Sequence, residues 1–231
     1  DASGVRRDTG RVLPRPSTRD LLRSLPALTG GLPDFDPYAV SVDPAEAFVD
    51  WLGVAIEAGV PEPHAMTVAT VGADGVPASR IVLLTDVTEG SWRFATDART
   101  GKARDLAADP RVAASFYWQR LGRQVRLVGR AELLDPEFCA ADFRSRAPSS
   151  RAAAVASRPG EQLDSVTDMA DAVVAARARV DRDPRLVVPT WQVWAIVPDE
   201  VELWQGDSDR AHMRLVYRRE QDRWDRRLWW P

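Results

Sequence analysis

Met66-Thr-Val-Ala-Thr-Val71, Gly72-Ala-Asp-Gly75 and Pro77-Ala-Ser-Arg-Ile-Val-Leu-Leu84 are the stretch on which the fold turns. Four of the six residues in the first run are β-branched, which suits an extended backbone. The Gly-bounded tetrapeptide is a hairpin signal, and Pro77–Leu84 is the return strand. A third strand, Ser91–Thr96, follows within a few residues, so the connections are those of antiparallel pairing. Downstream, Val112–Trp118 and Gln124–Leu134 read as long strands joined around Leu121-Gly122. After Pro184 come Trp191–Val197, Val201–Gln205, Met213–Arg219 and Trp224–Leu228, with turns expected at Pro198–Glu200 and Glu220–Asp222. These antiparallel strands favour a closed or nearly closed β-barrel over a doubly wound sheet.

Helices interrupt this pattern. Asp43-Pro-Ala-Glu46 combines an N-cap, Pro at the first helical position and Glu three residues after the cap. Phe48, Trp51, Leu52, Ala55 and Ile56 then follow helical spacing to about Ala58. Further helices are expected at Lys102–Ala108, from Asp135 through about Arg144, at Arg151–Ser157 and at Ser165–Val180. The last should bury Val166, Met169, Ala170 and Val173. Residues 1–42 lack periodicity and read as an irregular N-terminal arm that folds over a neighbour or a site, ahead of a single domain at 43–231.

Composition excludes several function classes. A net charge of −3 argues against a general nucleic-acid binder. A single cysteine, Cys139, allows no internal disulfide, and two histidines are too few for most metal sites. No apolar run approaches the roughly 18 residues of a bilayer span, and no leader pattern is visible, so the expected compartment is cytoplasmic. Gly-rich dinucleotide turns, P-loops, His-Glu-x-x-His and Gly-x-Ser-x-Gly are all missing from the sequence. The nine tryptophans are unusual; three lie in the final Trp224–Pro231, which should be docked.

Two clusters point to chemistry. Lys102 is the only lysine among 31 Lys+Arg residues, in a chain that has no asparagine. A lysine kept against that bias is one needed as a compact ammonium group. It lies where a strand, Phe94–Asp97, runs through a Gly-containing turn into a helix, a geometry that gathers a cation and backbone N–H groups around an anion such as a phosphate. The second cluster is Glu202-Leu-Trp-Gln-Gly206 followed by Arg210-Ala-His-Met-Arg214. On an extended segment Arg210, His212 and Arg214 share one face, and two guanidinium groups beside an imidazole require anions.

In order, Arg80-Ile-Val-Leu-Leu84, Phe94-x-Thr96 with Lys102, Phe116-Tyr-Trp118 with Arg123-Gln-Val125, and Trp204-Gln-Gly206 with Arg210-x-His212-x-Arg214 resemble the pyridoxamine 5′-phosphate oxidase family from about Asp43 to the end of the chain. The resemblance implies an FMN-binding split β-barrel, antiparallel and Greek-key in type, with peripheral helices. It implies a homodimer with FMN at the subunit interface, and O2 as electron acceptor. Carried over, Arg80 and Lys102 hold the FMN phosphate, Ile81, Val82, Leu83 and Leu84 lie along the flavin, and Thr96 sits near its polar tail. Gln124 (from the partner subunit), Trp204 and Arg214 contact the ring or ribityl chain, while Arg210 and His212 face the substrate as the catalytic pair.

Departures from the family pattern are equally informative. Thr85 stands where a lysine grips the substrate phosphate, and Asp142 where a tyrosine does, although Arg146 and Ser150 match the remaining substrate ligands. Gly101 replaces an arginine before Lys102, and Pro159-Gly160 a Gln-Ser pair, for which Glu161-Gln162 could substitute. Losing a cation and gaining an acid beside a dianion costs several kcal/mol, at roughly 1.5–3 kcal/mol per charge-assisted hydrogen bond. Thr85 and the Val155–Leu163 stretch resemble the phenazine-biosynthesis branch, whose members oxidise reduced tricyclic aromatic acids. The expectation is therefore an FMN-dependent oxidase of a reduced nitrogen heterocycle. The alternatives are a pyridoxine/pyridoxamine 5′-phosphate oxidase and a non-catalytic flavin- or deazaflavin-binding protein.

Overall fold

The computed structural model describes residues 16–231. Eight strands form one antiparallel sheet: β1 (Ala65–Val71), β2 (Pro77–Thr88), β3 (Ser91–Asp97), β4 (Arg111–Trp118), β5 (Arg123–Leu133), β6 (Trp191–Gln205), β7 (Met213–Glu220) and β8 (Arg223–Trp229). The spatial order is β3-β2-β1-β4-β5-β6-β7-β8, and β3 also pairs with β6. That extra pairing closes six strands into a barrel, with β7 and β8 as an extension. The order β3-β2-β1-β4 is a Greek key, in which β4 returns to lie beside β1.

β6 serves both parts. Its first half pairs with β3, its second half with β7, and β5 runs along most of it. The turn expected at Pro198–Glu200 is instead a bulge in this continuous strand: Gly129 faces Pro198 and Val128 faces Glu200, leaving Asp199 extra. Proline tolerates a bulge because no ladder donor is needed there. A Cβ on Gly129 would lie 2.2 Å from the Val197 carbonyl oxygen, so only glycine allows the two backbones to approach.

Helix α2 (Pro44–Glu57) plugs the barrel. The Asp43 side chain caps it, accepting from the Ala45 and Glu46 amides at 2.7 and 3.3 Å. Phe48 lies 4.8 Å from the Phe116 ring, 5.7 Å from Trp92 and 6.1 Å from Trp118, all buried. Ile56, expected on this face, is exposed. Beyond the barrel lie α3 (Gly101–Ala108), α4 (Pro136–Ser145), α5 (Pro148–Ala156) and α6 (Val166–Arg182). Cys139 packs inside α4, where burial pushes its thiol up.

The α6 face differs from expectation. Ala176 and Val180 are buried against Ala152 of α5, whereas Val166, Met169 and Val173 are exposed. Small residues let α5 and α6 approach closely, so the helix turns its alanine side inward. Within 1–42, residues 1–15 lie outside the described residues, and Thr18–Arg23 forms α1 rather than irregular chain. Residues 28–41 then lie against the barrel of their own chain. Phe35 meets Trp51 at 5.1 Å, Leu28 and Leu32 cover Gly122, and Tyr217 donates its hydroxyl hydrogen bond to the Ser41 carbonyl. At the other end, β8 docks the C-terminal backbone, but the Trp230 ring is left exposed. Among the described residues no helix is long and apolar enough to cross a membrane.

Candidate active site

The first cluster forms at one mouth of the barrel. Arg80 pairs with Val68 across β1–β2, a register that turns its side chain to the inner face. There Nη1 donates to Thr70 Oγ1 at 2.7 Å, and Nη2 lies 3.8 Å from the Asp105 carboxylate of α3. Thr70 also donates to Asp105 at 2.6 Å. From α3, Lys102 Nζ donates to Thr96 Oγ1 at 3.1 Å, and Thr96 and Thr100 hydroxyls lie 3.2 Å apart. Thr100 caps α3, which explains the helix start there. Burial, and then the like charge of Arg80, hold the Lys102 ammonium below its usual range, against the opposing pull of Asp97. Two converging cations and two hydroxyls fit a phosphate, whose charge would reverse that disfavour.

The second cluster occupies the outer face. Tyr117 pairs with Gln124, Gln124 with Trp204, Trp204 with Arg214 and Arg214 with Trp229. Directly paired residues point the same way, so Gln124, Trp204 and Arg214 form one cross-strand row. Glu202, two residues from Trp204, lies on the same face and is buried. Arg214 Nε donates to it at 2.6 Å, and Arg126 lies 3.4 Å away. The anion that the cationic cluster required is thus supplied, for Arg214, from within the chain.

Arg210 does not share a strand face with His212 and Arg214. Asp207 makes a turn, accepting at its side chain from the Asp209 amide at 2.7 Å, and Arg210 has φ 68°. β7 starts only at Met213. The three residues nevertheless line one pocket with Leu228, Trp229 and Trp230. His212 Nδ1 accepts from the Asp207 amide at 3.0 Å, which leaves the ring proton on Nε2. Its ring centre is 5.0 Å from that of Trp204.

The residues Ile81–Leu84 divide by strand alternation: Ile81 and Leu83 are exposed, Val82 is half-buried and Leu84 is buried in the core. At the α4–α5 corner, Arg146 stacks over Trp191 at 4.8 Å, and its buried Nε has no partner among the described residues. Asp142 accepts the Trp191 indole N–H at 2.8 Å. Ser150 is half-buried in the first turn of α5, and Thr85 donates to the Arg93 carbonyl at 3.1 Å.

Sequence reasoning gave no role to Thr70 or Asp105, and quoted Tyr117 and Glu202 only within motifs, without a role of their own. Glu202 was detectable from its strand parity with Trp204, and Thr70 from its parity with Val68, which the hairpin pairs with Arg80. Asp105 was not, because only the packing of α3 on β1 brings it to Arg80.

Residues 52–205 match the family model described as Pyridoxamine 5′-phosphate oxidase. Residues 191–231 match the one described as Pyridoxine 5′-phosphate oxidase C-terminal dimerisation region. Among curated relatives, the pyridoxine/pyridoxamine 5′-phosphate oxidase of Thermosynechococcus vestitus is 42% identical over 190 residues, covering 82% of this chain and 89% of its own. That of Chromobacterium violaceum is 42% identical over 181 residues, covering 78% and 84%. Among solved structures, PhzG from Burkholderia lata 383, in complex with tetrahydrophenazine-1-carboxylic acid, superposes with a TM-score of 0.80 at 24% identity, covering 87% of this chain and 100% of its own. An FMN-binding protein from Nostoc punctiforme gives 0.69 at 19% identity, covering 83% and 99%.

Proposed function

This chain belongs to the pyridoxamine 5′-phosphate oxidase family, and on that premise we propose that it is an FMN-dependent oxidase acting on a reduced nitrogen-heterocyclic acid of the phenazine-precursor type. When bound, FMN supplies two-electron acceptance from the substrate and reoxidation by O2, giving H2O2. Arg80 and Lys102 hold its phosphate, with Thr96 beside them. Ile81 and Leu83 offer apolar contact to the ring, and Gln124, Trp204 and Arg214 a polar and aromatic one. In one chain the phosphate cluster and the Gln124 row are on opposite faces of the sheet, since Arg80 is inner and Gln124 outer, with Ile81 and Leu83 on the outer face as well. A homodimer would bring the outer row of one protomer to the inner cluster of the other, in keeping with the dimerisation-region match.

On the substrate side, Arg210 attracts a carboxylate and His212 donates from Nε2. The observation that carries the choice of substrate is Asp142. Its carboxylate, fixed on the Trp191 indole beside Arg146, puts negative charge in the corner where the family grips a phosphate. A ring carboxylate carries half the charge of a phosphate dianion and needs fewer cations. The unpartnered Nε of Arg146 favours a second reading, a vitamin B6 oxidase that keeps part of the phosphate site. An absorbance spectrum under anaerobic conditions separates the two. The flavin is expected to stay oxidised with pyridoxamine 5′-phosphate and to bleach with a reduced tricyclic acid. Bleaching by low concentrations of pyridoxamine 5′-phosphate would overturn the heterocycle reading.

A further inference from the structure

We propose that Trp230, with Trp229 beside it, is a stacking wall that makes the Arg210–His212 pocket selective for a planar, multi-ring aromatic carboxylate. The inference rests on the oxidase reading above and adds a specificity-determining residue to it.

The C-terminal backbone is anchored. Trp229 pairs with Arg214 at the end of β8, and Arg214 Nη1 reaches the Trp230 carbonyl at 3.5 Å. The Trp230 ring is nevertheless 93% exposed. In the single chain, within the residues that match the dimerisation region, this large aromatic side chain on an ordered strand end has apolar surface still to cover. Trp229 is partly covered by the Arg218 guanidinium at 4.5 Å and remains 43% exposed, so Trp230 is the more open of the two rings. Both border a pocket of about 410 Å³ with Arg210, His212 and Arg214, a size ordinary for small-molecule sites.

Its charge selects the rest of the ligand. Glu202 neutralises Arg214, while no carboxylate among the described residues is within ion-pair distance of Arg210. One uncompensated guanidinium suits one carboxylate, and an aromatic wall suits the flat ring system bearing it. A small single ring held by a phosphate would gain little from Trp230.

The test titrates phenazine-1-carboxylate, already oxidised and so not turned over, into the flavin-loaded wild-type protein, W230A and W230F. Sedimentation of each variant is run alongside. Aromatic stacking implies weakening of about tenfold in W230A, with recovery to within about threefold in W230F and no change of assembly mass. Equal affinity of W230A and wild type, or no binding by wild type, overturns the proposal. So does weakening that accompanies dissociation of the assembly, which would assign Trp230 to a contact between copies of the chain. The oxidase reading is judged apart from this. Trp230-dependent binding without oxidation of the reduced acid sinks that reading and leaves the wall. Oxidation with Trp230-independent binding does the reverse.

Discussion

The mouth of the barrel and the C-terminal edge of the sheet both gather arginines, but they stabilise them differently. At the mouth, Arg80 and Lys102 both have hydroxyl partners, and among the described residues only Arg80 is within ion-pair distance of a carboxylate, at 3.8 Å, with Asp97 acting on Lys102 from further off. At the edge, Arg214 is closed onto buried Glu202 at 2.6 Å, and Arg210 sits in a turn open to solvent. The first region is packed around a charge deficit that a phosphate would fill. The second has its inner cation neutralised and its outer one left for a ligand. Cofactor retention should therefore depend on the mouth, and substrate choice on the edge.

The sharpest way to break this contrast is Lys102→Ala. It should weaken FMN binding by about 100-fold, the loss of one strong charge-assisted contact, as read from flavin fluorescence on release. Retention of FMN with near-native affinity would show that the two regions do not divide the labour in this way. Glu202→Ala acts on the other side. It leaves Arg214 and Arg126 facing an apolar gap and should lower stability by about 2 kcal/mol in urea denaturation. Because Arg214 is in the outer row, this variant should also disturb the edge pocket before the mouth.

A pH titration sharpens the comparison further. The Lys102 pKa lies below 10.5 in the folded chain, so the flavin-free fold binds that proton less well than the unfolded chain does. Stability of the flavin-free protein should therefore gain as pH rises from the lowered value toward 10.5. FMN affinity should fall over the same interval, as the ammonium group proposed to meet the phosphate is lost. Lys102→Met should abolish both trends. The smallest effect is expected for Gly206→Ala, whose Cβ would come within 3.0 Å of the Leu28 and Trp204 side chains. Both can shift, at about 1 kcal/mol. The change should appear as an altered environment of Trp204 rather than a loss of fold.

Much of this was legible in the chain before folding. Capping by Asp43, the hairpin at Gly72–Gly75 and the strands around Gln124 and Trp204 all carry local signals, and each element formed close to where those signals put it. Misreadings arose where a residue answered to a distant partner. Pro198 looked like a turn because its bulge exists only opposite Gly129. The α6 face was misjudged because Ala152, not a large apolar surface, packs against it. Arg210 looked extended because its spacing from His212 and Arg214 was read as strand period, although Gly206-Asp207-Ser208-Asp209 carries the turn chemistry that Asp207 realises.

Residue order alone, through strand period, turn chemistry and motif spacing, was enough to establish an antiparallel barrel and its family likeness, and to single out Lys102 as a candidate anion-binding cation. Those properties are local or carried by short runs. Pairing of β3 with β6 across about a hundred residues, the Arg80–Thr70–Asp105 contact, the burial of Glu202 under Arg214 and the exposed ring of Trp230 were decided only by the packed chain. Each depends on which distant surfaces meet and which are left facing water, and that is settled by closing the barrel as a whole.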